Sequence, residues 1–201
     1  MINRLSTGCG FVLVMAILAG CENAPNTPEK RDALHDNVQA SLSEMKAKDP
    51  GIQDFLYKSY GWAIFPSVGK GGFIVGGAYG KGEVYRQGRF IGFSEIQEGS
   101  VGFQAGGQEF SELIVFENEA ALQKLTQGQL AFGADASAVA LKAGAAASMQ
   151  FKNGVAVFTN PKGGLMAGVT VNGQKFGFQA RNDVNMDTTN WDTNNRSRDG
   201  M

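Results

Sequence analysis

The stretch WAIFPSVGKGGFIVGGAYGKGEVY, residues 62–85, decides how the rest of the chain is read. A short apolar run, Ala63-Ile64-Phe65, is stopped by Pro66. Seven glycines follow, Gly69, Gly71, Gly72, Gly76, Gly77, Gly80 and Gly82, around a second apolar run, Phe73-Ile74-Val75. Glycine has no Cβ, so it weakens a strand but lets the backbone bend or another segment come close. A flexible linker would lack the Ile, Val, Phe and Tyr between these glycines. The stretch predicts bulged, tightly packed strands with a turn near Gly80 and Gly82.

Downstream, strand signals continue. Gln87-Gly88 is a turn candidate, and the run from Phe90 to Phe93 is apolar. Residues 100–108 alternate Val101, Phe103 and Ala105 against Gly102 and Gln104, the period of a strand. Residues 112–116, ELIVF, predict a buried strand, and Asn118 predicts the cap of a short helix over 119–127 ending at Gly128. Residues 130–149 carry conflicting signals. Their alanines favour helix, but Leu130, Phe132, Ala134, Ala136 and Ala138 alternate, and Gly133 and Gly144 interrupt, which predicts two strands. Asn153-Gly154 and Asn172-Gly173 accept the positive φ angles of two-residue hairpin turns. They predict hairpins 148–152/155–159 and 165–171/174–179, joined by Asn160-Pro161-Lys162-Gly163.

Upstream, Thr27-Pro28 predicts a helix start, with Thr as cap and Pro in the first turn. Leu34, Val38, Leu42 and Met45 form one apolar stripe, and the other side is charged but nearly balanced. A bilayer-surface helix usually has a basic face, so this helix is expected to cover the sheet. His35 falls on its exposed side. Asp49-Pro50 predicts a second helix that turns Ile52, Phe55, Leu56 and Tyr60 inward and stops at Gly61. The expected fold class is α+β: N-terminal helices packed on a strongly bent, mostly antiparallel sheet or partly closed barrel.

The chain has 201 residues, 43% of them hydrophobic, enough for one domain with a sizeable core. A net charge of −1 gives no global basic field for nucleic acid. Residues 1–20 have the form of an export signal. Arg4 precedes the apolar run from Phe11 to Leu18, which is too short for a stable membrane span. Leu18-Ala19-Gly20-Cys21 resembles the lipobox of bacterial lipoproteins. The resemblance implies cleavage before Cys21, acylation of its thiol and of the new amine, and an acylated tether over 21–27. Cys9 leaves with the signal, so no thiol remains for a disulfide, metal or nucleophile. By resemblance to lipoprotein sorting, Glu22 in place of Asp implies a lipid anchor in the outer membrane, facing the periplasm. Residues 28–180 are expected to form the domain, and the polar residues 181–201 a disordered tail.

Catalytic patterns are missing from the sequence. His35 is the single histidine, so zinc sites have no evident ligand set and a Ser-His-Asp triad would have to use it. GGAYGKG, residues 76–82, misses the P-loop spacing, and Gly82 occupies the hydroxyl position. Glu95, Glu98, Glu109 and Glu112 are scattered in sequence. No catalytic residue, metal or cofactor is assigned. Lys70, Lys81 and Lys162 are the candidates for contact with an anionic head group, with solvated turns as the plain alternative for Lys70 and Lys81.

Four ordered blocks carry a family resemblance: GWAIFPSVGKGGFIVGGAYGKGEVY at 61–85, GSVGFQAGGQ at 99–108, FGADAS at 132–137 and KGGLMAGVTVNG at 162–173. Together they resemble the SYLF domain family, over roughly residues 32–178. The resemblance implies a compact α+β lipid-binding module without catalysis, with phosphoinositide binding and actin bundling in eukaryotic members. A secreted bacterial lipoprotein meets neither actin nor, normally, phosphoinositides, so phospholipid is the expected partner. The alternative is a structural or scaffolding envelope module that binds a protein partner.

Overall fold

The computed structural model describes residues 25–72, 75–101, 106–133, 138–164, 171 and 173–181. The signal segment, Cys21, residues 165–170 of the strand expected over 165–171, and residues 182–201 lie outside them.

Two helices come first, α1 (Pro28–Lys48) and α2 (Gly51–Lys58). Four long strands follow: β1 (Gly61–Gly72), β2 (Val75–Arg86), β3 (Arg89–Val101) and β4 (Gly106–Phe116). The rest is α3 (Glu119–Thr126), β5 (Ala138–Ala140), α4 (Ala145–Ser148), β6 (Val155–Gly164) and β7 (Gln174–Ala180). All seven strands form one sheet in the order β5-β6-β4-β1-β2-β3-β7. Every pairing is antiparallel except the short β5–β6 contact. The α+β expectation holds, with two short helices also inserted after β4.

The sheet has a core on each side. On one face, Trp62, Ile64, Tyr85, Phe93, Leu113, Val115 and Phe158 pack with Val38, Leu42, Met45 and Ile52 from α1 and α2, and with Ala145 and Ala146 of α4. The apolar stripe expected on α1 is therefore the stripe that covers the sheet. On the other face, Phe65, Val68, Ile96, Phe110, Ile114, Phe116 and Phe176 pack with Leu122 and Leu125 of α3. The sheet curls strongly around this second core. β4 and β7 are four strand steps apart, roughly 19 Å on a flat sheet. Yet Gln174 Nε2 of β7 donates to Glu112 Oε2 of β4 at 3.0 Å. The rings of Phe65 on β1 and Phe176 on β7 likewise approach to 6.0 Å between centroids.

Local chemistry explains most element ends. Thr27 Oγ1 accepts from Lys30 N at the start of α1, and Asn118 Oδ1 accepts from Ala121 N at the start of α3. Asp49 serves two elements: Oδ1 accepts from Gly51 N at 3.1 Å and Oδ2 from Ala146 N at 2.7 Å, which pins α4 beside α2. Gln87 and Gly88, with φ of 50° and 75°, make the expected turn between β2 and β3.

Several expectations are corrected. α2 ends at Lys58 with Ser59 as its cap, and Gly61 is the first residue of β1. Gly80 and Gly82 make no turn; both lie inside β2, and the chain reverses between Gly72 and Val75. They are glycines because β1 crosses close by: a Cβ on Gly82 would overlap the Ile64 carbonyl oxygen and the Phe65 ring. Of the strand expected over 100–108, residues 102–105 lie outside the described residues; Ser100 and Val101 end β3, and Gly106 begins β4. Where two strands are expected over 130–149, the described residues hold one, β5, and Ala145–Ser148 is a turn of helix; residues 134–137 lie outside them. Asn153-Gly154 does turn, with φ of 55° and 80°, but α4 and coil precede it in place of a strand. Asn160-Pro161-Lys162-Gly163 is not a connector but the end of β6. Pro161 is tolerated there because β5 covers β6 only opposite residues 157–159, and the ladder with β4 is irregular at that point.

Candidate functional site

The curled sheet buries charge on both faces. On the second-core face, one row of side chains crosses β4, β1, β2, β3 and β7 in register: Gln108, Lys70, Ala78, Glu98 and Gln174. All five are buried. Lys70 Nζ lies 2.8 Å from Glu98 Oε1, an ion pair closed off from solvent. Glu112, four residues along β4 from Gln108, points to the same side and accepts from Gln174. Glu112 Oε1 and Gln174 Oε1 have no hydrogen-bond partner. Burial pushes the Glu112 carboxyl up to about 8, with repulsion from Glu98 adding to the rise; Gln174 and Lys70 oppose it. Glu112 is therefore mostly neutral at pH 7.

On the opposite face, His35 of α1 is 8% exposed, which corrects the expectation of a solvated histidine. Its Nδ1 lies 3.1 Å from Glu83 Oε2, and the Tyr85 hydroxyl donates to the same oxygen. This cluster sits under the helix and ties α1 to β2. At the other end of α1, Lys48 Nζ and Glu44 Oε1 both bond to the Asn160 side chain on β6. The hydrogen bond from Asn160, then that from Lys48, holds the Glu44 carboxyl below its ordinary range.

The three lysines singled out by sequence do not converge. Lys70 is 6% exposed and paired with Glu98, so neither the solvated-turn nor the head-group expectation fits its position. Lys81, half-buried, lies in mid-strand on β2 opposite Ser67 and Glu95. Lys162 is exposed on β6, near enough to Glu44 to influence its carboxyl. The helix-side face of the sheet beyond α1 carries an exposed row across six strands: Gly163, Glu109, Gly69, Tyr79, Gln97 and Lys175. A row of four glycines, Gly107, Gly71, Gly77 and Gly99, lies beside it. Tyr79 is 51% exposed. Lys81 and Lys175 therefore belong to one exposed face, with Lys162 at its border.

Sequence reasoning missed Glu83, Tyr85, Glu112 and Gln174. One signal was available. Glu112 shares the strand parity of Phe110, Ile114 and Phe116, so a carboxyl was due to face the core. Nothing local marks Gln174, because its partner lies 62 residues away. Among the described residues, no cluster of three or more His, Cys, Asp or Glu side chains could hold a metal ion.

These features define a class: a curled, helix-covered β-sheet module whose buried polar groups largely bond one another, with a polar face exposed. Residues 97–192 match the family model Ysc84, described as Las17-binding protein actin regulator. The match runs from Gln97 in β3 through β7, and takes in three of the four sequence blocks that resemble the SYLF family. The block at 61–85 precedes it. That family is a binding or adaptor domain rather than a catalytic one. No curated protein matches the chain.

Proposed function

We propose that this chain is an envelope lipoprotein, acylated at Cys21 and probing the membrane surface with its SYLF-like domain, which binds phospholipid without catalysis. The observation that carries the binding is the match of residues 97–192 to an adaptor family. The exposed sheet face suits a bilayer surface: it presents Tyr79, an aromatic with a polar tip, and it has Lys81 and Lys175 for anionic phosphates. Lys162 borders the same face. Lys70 is excluded from this role by its buried pairing with Glu98. The anchor sets an outer-membrane, periplasm-facing location.

Protein lacking residues 1–21 is expected to co-sediment with vesicles containing phosphatidylglycerol at low salt. The pair of substitutions Lys81→Glu and Lys162→Glu should weaken sedimentation several-fold, and added salt should do the same. Failure to sediment at low salt defeats the lipid reading. Mass spectrometry of the intact extracted protein tests the anchor separately: acyl mass should be present, and absent in Cys21→Ser.

The family description itself favours a second reading. Its members are named for binding a protein. Here the acyl chains alone would hold the domain at the membrane, and the exposed sheet face would dock an envelope protein. Cross-linking in intact cells would then give one dominant protein adduct that does not depend on lipid composition.

A further inference from the structure

Gln174 opens β7, the edge strand of the sheet, and reaches from there across the second core to Glu112 on β4. Both side chains are fully buried, and each keeps one oxygen without a partner. The same end of β7 holds a short flanking segment: Phe132 N donates to Gln174 O, Gly173 N donates to Phe132 O, and Ala131 bridges Lys175. The geometry points to Glu112 as a proton-operated latch: the neutral acid keeps the N-terminal end of β7 folded over β4, and the carboxylate lets that end swing away.

The chemistry supports this direction. A buried carboxylate needs donors on both oxygens, and Glu112 has one, the Gln174 amide. The charged groups that face it are Glu98 on β3, which repels it, and Lys70 on β1, which is already engaged by Glu98. From β6 it is opposite Thr159, and from β1 Phe65, neither of which titrates. Ionisation is thus relieved most simply by water entering along the seam where β7 meets β4. Among the described residues this seam is closed by side chains, and no ladder joins β7 to β4. Opening uncovers Phe132 and Phe176, whose rings pack edge to face at 5.0 Å.

The linkage has a definite sign. Closed, the Glu112 acid titrates at about 8; open and hydrated, it returns toward the ordinary 4.5. Between those values the closed form holds a proton that the open form has lost. The open-to-closed ratio therefore rises up to about tenfold per pH unit from about 4.5 to about 8, then levels off.

Hydrogen–deuterium exchange on the full chain at pH 5.5 and 7.5, corrected for intrinsic amide rates, tests the latch. β7 and residues 131–133 should lose protection by up to about a hundredfold between the two, while β1 and β4 keep slower exchange. In Glu112→Gln the corrected protection of β7 should be the same at both values. An unchanged β7 in the wild-type protein overturns the proposal. So does β7 exchanging as slowly as β1 and β4 at pH 7.5, which would report global unfolding rather than a local opening. The wild-type comparison decides the matter even if the variant does not fold.

Discussion

Lys70 shows how little a residue's type says about its role. A lysine among glycines reads as a solvated cation, yet its strand parity turns it into the curled sheet, where Glu98 takes its charge. Removing one partner of such a pair leaves a buried, uncompensated charge. Lys70→Met should cost about 3–5 kcal/mol in denaturant unfolding. The double substitution Lys70→Met with Glu98→Leu should recover most of that loss, because no charge is then stranded. A single variant as stable as wild type would mean that solvent reaches the pair.

At the scale of the element, the glycines of β1 and β2 divide into two kinds. Gly82 is required: β1 crosses so near that a Cβ would meet the Ile64 carbonyl and the Phe65 ring, and backbone cannot yield cheaply. Gly69, one strand over and on the exposed face, has open space where its Cβ would stand. Gly82→Ala should therefore lose about 1–3 kcal/mol of stability, in the range of overpacked cores. Gly69→Ala should be neutral or gain up to about 1 kcal/mol, since glycine weakens a strand through its backbone freedom. Thermal unfolding of the two variants side by side checks the contrast; equal shifts would refute it.

At the scale of the whole molecule, two buried acids organise the two sides of the sheet. Glu83 receives α1 through His35, and Glu112 receives β7 through Gln174. Glu112 also sets a pH dependence on stability. Its folded form holds a proton up to about 8, whereas an unfolded carboxyl releases it near 4.5. Below both values the acid is protonated in either state and costs nothing. As pH rises through the window between them, the folded state alone binds the proton, so stability falls by up to about 1.4 kcal/mol per pH unit and then flattens. Urea unfolding of the wild-type protein from pH 5 to 9 should show this decline. Glu112→Gln should be the more stable of the two at pH 8, with the decline largely removed.

What the sequence settled is what depends on near neighbours. The caps at Thr27 and Asn118, the turns at Gln87-Gly88 and Asn153-Gly154, the apolar stripe of α1 and the buried strand ending in ELIVF are each legible within a few residues. The α+β class follows from them. What sequence could not decide is where glycine means a turn and where it means a crossing, because both uses look alike until the opposing strand is in place. The curl of the sheet, the burial of Lys70 and His35, and the joining of Glu112 to Gln174 were settled by tertiary structure alone. Each arises from strands brought together over long separations in the chain, and burial, not residue type, then fixes which charges must pair and which acid must keep its proton.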